Sequence, residues 1–219
     1  MDKRRITSII TESAKLYHEN LEDKKILFVY AVPSEIYKQL DSSHYSGLEM
    51  SFYEVAFHSS NFLHLTGVKV NERSVKSAKH FYQKCIDGRL TDDDYVTSKD
   101  GSTDQKLSVL KDMMNIRKTA SMIGEFSDKG PKLYSEKVAG NIFACIGFVQ
   151  DKYTGLNVPN TLLRKDIRDI TSKPQNKIFA VLSKEYSQKA YSKIDRLDKR
   201  IKLSSIKGIE NYIDISSLS

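Results

Sequence analysis

Tryptophan is absent from the 219 residues, and cysteine occurs only twice. The missing tryptophan excludes little, because twelve tyrosines and nine phenylalanines supply aromatic bulk for a core. The cysteines, Cys85 and Cys145, lie far apart and without the close Cys/His spacing of a zinc site. Neither a metal centre nor a disulfide framework is therefore expected. Both sit among apolar neighbours (Phe81, Tyr82 and Ile86; Phe143, Ile146 and Phe148) and read as buried small hydrophobes. No stretch approaches the ~18 apolar residues of a membrane span, and no apolar run follows Met1-Asp2-Lys3-Arg4-Arg5. Membrane contact and secretion are not expected, and the reducing cytoplasm is the expected compartment. A glycine-rich phosphate loop, a Gly-x-Ser-x-Gly nucleophile elbow and an obvious carboxylate pair for two metals are also missing. No cofactor is expected, and any phosphodiester chemistry is expected to be metal-free.

What is present is positive charge. Lys plus Arg number 35 against 28 Asp plus Glu, a net +7. A basic surface favours a nucleic-acid partner through counterion release, although scattered lysines also serve as a solvated surface. With 39% hydrophobic residues and 219 positions, the chain can bury a core, and a single domain over 1–219 is expected.

Arg4–Asp23 carries Ile6, Ile9, Ile10, Ala14, Leu16, Tyr17 and Leu21 near a 3.6-residue period and predicts an amphipathic helix. Ile26–Tyr30 predicts a strand stopping near Pro33, Asp41–Gly47 a loop, and Ser51–Phe57 a second strand. Ser74–Asp87 predicts a helix closed by Gly88. Thr91 before Asp92, Asp93 and Asp94 predicts a capped helix start rather than a calcium loop. Asp104 is expected to cap the longest helix, running through Leu107, Leu110, Met113 and Met114 to Ala120. Beyond Pro131, strands are expected at Lys132–Val138, Asn141–Gln150 and Lys177–Leu182, with 153–168 mostly a loop and a final strand at Tyr212–Ile215. The fold expected is α+β, a helix-rich N-terminal half packed on an antiparallel sheet formed largely by the C-terminal half.

Three groups of residues carry possible chemistry. In Phe62-Leu63-His64-Leu65-Thr66-Gly67, an extended backbone puts His64 and Thr66 on one face, an imidazole and a hydroxyl aimed at one phosphate. The alternative is a half-buried histidine bonded to backbone. In the segment from Asn160 to Thr171, the side chains of Asn160, Thr161, Arg164, Arg168 and Thr171 offer a phosphate-binding set. A surface turn held by Asp166 and Asp169 explains the same residues. Arg117 and Lys118 are either nucleic-acid contacts or cations at the negative end of a helix dipole. His18, His44, His58 and His80 read as solvated.

Phe62–Gly67, Ser121–Gly124, Pro159–Arg168 and Lys177–Val181, taken in that order, resemble the phage and mobile-element PBECR domains. These are the phage-associated branch of the fold shared by barnase, EndoU, colicin ribonucleases and RelE, and the likeness is to the fourth group. It spans about 4–184, leaving 185–219 as a C-terminal extension. The resemblance implies a metal-independent endoribonuclease of phage or mobile-element origin, acting in a bacterial host on RNA through its 2′-hydroxyl. His64 would be the general acid or base, Thr66 a phosphate donor, and Arg168 with Thr171 or Lys177 the charge stabilisers. A second proton-transfer residue is not identified; Tyr153 and Glu54 are the candidates. The competing reading is a non-catalytic interaction protein that binds a host or phage protein, or nucleic acid, through a basic surface.

Overall fold

The computed structural model describes residues 1–41, 45–127 and 135–214. His44, Lys132–Tyr134 and Ile215, to which the sequence assigned roles, lie outside them. The amphipathic N-terminus forms α1 (Lys3–Asn20), capped by the Asp2 carboxylate, which accepts from the Arg5 N–H. Its apolar stripe, Ile6, Ile10, Ala14 and Tyr17, is fully buried. β1 (Lys24–Ala31) follows, then α2 (Pro33–Leu40). Proline, expected to stop the strand, here also opens a helix, because its missing N–H and fixed φ suit the first helical turn.

Next come β2 (Ser51–Phe57), α3 (Phe62–Thr66), β3 (Lys69–Val70) and α4 (Ala78–Ile86), which Ser77 caps. No helix starts at Thr91. The Asp94 carboxylate instead accepts from the Thr91 N–H at 2.7 Å and hydroxyl at 3.0 Å, closing a turn before β4 (Tyr95–Val96). Lys84 pairs with the same carboxylate at 2.6 Å. The long helix expected to end at Ala120 is split into α5 (Ser102–Met113) and α6 (Ile116–Thr119), and Gly101 rather than Asp104 takes its N-cap.

The remaining elements are strands: β5 (Met122–Glu125), β6 (Lys137–Gly140), β7 (Cys145–Gln150), β8 (Asn157–Leu163), β9 (Asn176–Glu185) and β10 (Lys193–Leu197). Tyr212 closes a short 3₁₀ turn, and Ile213 makes an isolated bridge to Tyr191 where a strand was expected.

These strands correct the expected sheet. They run in the order β1-β2-β8-β7-β6-β5-β9, and β9 pairs back to β1, closing a seven-stranded barrel with β10 hung on β9. Nor is it wholly antiparallel, since β2 meets β8 in parallel through the single pair Val55–Asn157. The C-terminal half supplies most strands, but β1 and β2 come from the N-terminal half.

Alternation along β1 sends Ile26, Phe28 and Tyr30 inward and Leu27 and Val29 outward. Phe28 of β1 and Phe148 of β7 meet at 6.4 Å across the interior. That interior runs on into the helices, where the Tyr17 ring stands edge-on to Phe62 at 5.3 Å and Tyr82 at 5.7 Å. Outside, Leu27, Val29 and Phe179 are covered by Ile36 of α2 and by Leu203, Ile206 and Ile209 of the C-terminal segment. Each such side chain contributes roughly 1.5–3 kcal/mol by leaving water. Cys85 and Cys145 are free and buried, and burial pushes both thiols up to about 12.

Candidate nucleic-acid groove

Phe62–Thr66 is a helical turn and not a strand. Residues two apart on a helix point to different sides, so His64 and Thr66 part company. Thr66 is fully buried; its hydroxyl donates to the Leu63 carbonyl at 2.8 Å and accepts from the Val68 N–H at 3.3 Å. It shapes the helix end. His64 is exposed on the other side, and crowding by protein, followed by the charge of Lys106, holds its imidazole below the ordinary 6.5.

His64 borders a surface groove of about 530 Å³ with Lys69, Glu72, Ser98, Lys106 and Asn160. Two local features build it. Gly67 ends α3 at φ +73°, a left-handed conformation suited to glycine. A Cβ there would lie 2.7 Å from Cδ of Lys106, so the bare backbone makes room for the α5 lysine. Opposite, Gly147 pairs with Thr161 and Phe148 with Pro159, leaving Asn160 as the extra residue of a β-bulge in β8. Bulges re-aim side chains, and this one sets Asn160 on the groove wall.

Lys106 closes the arrangement. Its amine donates to the Thr161 hydroxyl at 3.0 Å and lies 3.5 Å from the His64 carbonyl, joining α5, α3 and β8. Burial lowers its pKa, and no carboxylate pairs with it among the described residues. The sequence reading passed over this residue.

Of the residues expected at the site, His64, Asn160 and Thr161 come together here. The others do not line this groove. Arg168 is exposed, and its guanidinium forks onto the adjacent Asp166 carboxylate at 2.6–3.0 Å. Thr171 is buried and donates to the Ile167 carbonyl at 2.8 Å. Lys177 pairs with Asp198 at 2.5 Å and donates to the Tyr37 hydroxyl at 3.1 Å. Arg117 is buried on Asp195 at 2.9 Å and Ser183 at 3.0 Å. Arg164 and Lys118 are exposed. Glu54 accepts from Tyr191 at 2.6 Å and pairs with Lys25, while Tyr153 is 98% exposed. Among the described residues, no three His, Cys, Asp or Glu side chains gather as a metal-binding group. No described helix is long and apolar enough to cross a membrane.

A family model described as phage-Barnase-EndoU-ColicinE5/D-RelE like nuclease 4 matches residues 9–200. No curated protein and no solved structure matches the chain.

Proposed function

Since the chain belongs to the phage-Barnase-EndoU-ColicinE5/D-RelE like nuclease family 4, we propose that it is an endoribonuclease that works in the groove beside His64 and needs no metal ion. One observation carries the reading: an imidazole with a lowered pKa shares a groove with lysines and with an asparagine presented by a bulge. At neutral pH such an imidazole is mostly unprotonated and suited to act as a base. In the proposed step His64 takes the proton of a ribose 2′-hydroxyl, and that oxygen bonds to the adjacent phosphorus. The phosphorus–O5′ bond breaks, and the 5′-oxygen leaves with a proton from solvent. The products are a 2′,3′-cyclic phosphate and a 5′-hydroxyl end; DNA, lacking the nucleophile, is not a substrate.

The test is incubation of the protein with RNA and with DNA of the same sequence, with and without a chelator. Cleavage of RNA alone, insensitive to chelator and lost in His64→Ala at unchanged melting temperature, is the expected result. RNA left uncut under both conditions overturns the reading.

A second reading, binding of a host or phage protein without catalysis, is favoured by Phe143 and Ile142, which are 72% and 45% exposed at the β6–β7 turn. It predicts an inert protein that forms a stoichiometric complex, broken by Phe143→Ser.

A further inference from the structure

Three of the cations expected from the sequence to meet phosphate are already engaged, and Arg164 and Lys118 do not line the groove. Arg168 is held by Asp166, Lys177 by Asp198 and Arg117 by Asp195. A lysine or arginine whose charge is met by a fixed carboxylate has less to gain from phosphate, because the new contact must replace an existing one.

Lys106 differs in each respect. It is half-buried on the groove wall, its stem passes over Gly67, and its amine is held between α3 and β8 by the Thr161 hydroxyl. A lysine ammonium has three N–H donors. Thr161 takes one at 3.0 Å and the His64 carbonyl, at 3.5 Å, lies at the limit of a second. At least one donor remains for the groove. Glu72 also lines the groove, but no carboxylate forms an ion pair with the Lys106 amine among the described residues, so its positive charge is partly desolvated without a directly bonded counter-charge. That arrangement is costly in the empty protein and is relieved by an anion.

We infer that Lys106, held by Thr161 beside the bulged Asn160, is the phosphate-binding and second catalytic group of this groove, contacting the non-bridging oxygens of the phosphodiester next to His64. The inference rests on the nuclease reading for its catalytic half and on groove geometry alone for its binding half. The two roles divide cleanly. The imidazole handles the 2′-hydroxyl proton, while the ammonium balances the charge that builds on the phosphate oxygens as the 2′-oxygen adds. No proton need leave Lys106 for the step to balance. Substitution of a group that stabilises developing oxyanion charge costs roughly 10²–10³ in rate.

The experiment measures two quantities on wild type, Lys106→Met and Lys106→Gln, each checked for folding by circular dichroism. One is the RNA cleavage rate. The other is the affinity for a non-cleavable 2′-deoxy oligonucleotide at several salt concentrations. In Lys106→Met the cleavage rate is expected to fall about 100-fold or more. The slope of log affinity against log salt is expected to shrink by about 0.7, the loss of one single-strand phosphate contact. Lys106→Gln, which retains an amide donor, carries the test if the methionine variant does not fold. A folded variant with cleavage within threefold of wild type and an unchanged slope overturns the inference while leaving the nuclease reading intact. Wild type that cuts no RNA, but whose salt slope still depends on Lys106, sinks the nuclease reading and the catalytic half while upholding the phosphate site. If wild type neither cuts RNA nor binds the oligonucleotide, both fall.

Discussion

Replacing Arg117 with methionine separates a structural from a nucleic-acid role for a residue whose sequence context allowed either. The Arg117 side chain is 6% exposed and that of its partner Asp195 is 0% exposed. One guanidinium nitrogen donates to Asp195 at 2.9 Å and to Ser183 at 3.0 Å, and a second lies 3.5 Å from Asn20. The residue therefore ties α6 to β10, β9 and the end of α1. Arg117→Met retains much of the apolar stem but leaves a carboxylate buried without its cation, one oxygen of which already has no hydrogen-bond partner among the described residues. Breaking a buried pair in this way costs about 3–5 kcal/mol. For a chain of this size that lowers Tm by roughly 6–20 °C. The companion variant Arg117→Met/Asp195→Leu removes both charges and returns stability to within about 1 kcal/mol of wild type, since a buried pair is often replaceable by apolar residues. Urea unfolding of the three proteins gives all the numbers needed. A loss below about 1 kcal/mol in the single variant, or unchanged stability with weakened RNA affinity, refutes the structural assignment.

Gly140→Ala is expected to cost about 1–3 kcal/mol in urea unfolding, because a Cβ there would lie 2.3 Å from the Ala144 carbonyl oxygen and 2.5 Å from Cα of Cys145, backbone atoms that cannot step aside. Burial pushes the Asp94 carboxyl up, but the Lys84 amine together with Thr91 and Ser74 outweigh it and bring it down to about 2. A carboxyl lowered on folding stabilises the protein above its ordinary 3.8, and the benefit vanishes as pH falls toward about 2. Allowing for solvent screening, Asp94→Asn should lose about 1–2 kcal/mol at pH 7 and converge on wild type near pH 2, as read by chemical denaturation. Arg168→Ala should leave stability within about 0.5 kcal/mol and RNA cleavage within threefold, because the exposed guanidinium is already matched by Asp166.

What could be read from the sequence follows from how local each signal is. The α1 stripe and the alternation of Ser51–Phe57 lie in contiguous residues, so periodicity located both. Phe62–Thr66 defeats the same method, since five residues make barely more than one turn and show no period. The strand assumed there made Thr66 a neighbour of His64, which the helix undoes. β8 was hidden by Pro159 and Asn160, which argue against a strand interior. The barrel tolerates them because β2 bridges β8 only at Asn157 and Asn160 sits in a bulge. Barrel closure through β1 and β9 joins distant segments and leaves no local mark. Lys106, by contrast, did leave one. It stands three residues after Thr103 and four before Leu110, inside the buried stripe of α5, where a lysine is out of place on a helix that merely covers a core.

The double pairing of β1 has a consequence in time. Its residues Lys24–Tyr30 meet β2 on one edge, and Lys24–Ala31 meet β9 on the other, out to Glu185. Its β2 edge is met by the next strand, but its β9 edge stays open until a segment made roughly 150 positions later has arrived, and such distant contacts are slow to form because the intervening loop must close first. During synthesis, the helices and β2 emerge well before the ring can shut. β8 itself follows almost the whole helical half, so Asn160 and Thr161 reach the groove only after His64 and Lys106 have been waiting for them. A partly made chain holds the imidazole and the ammonium without the wall that sets their spacing. The topology thus withholds the assembled groove until nearly the entire barrel exists.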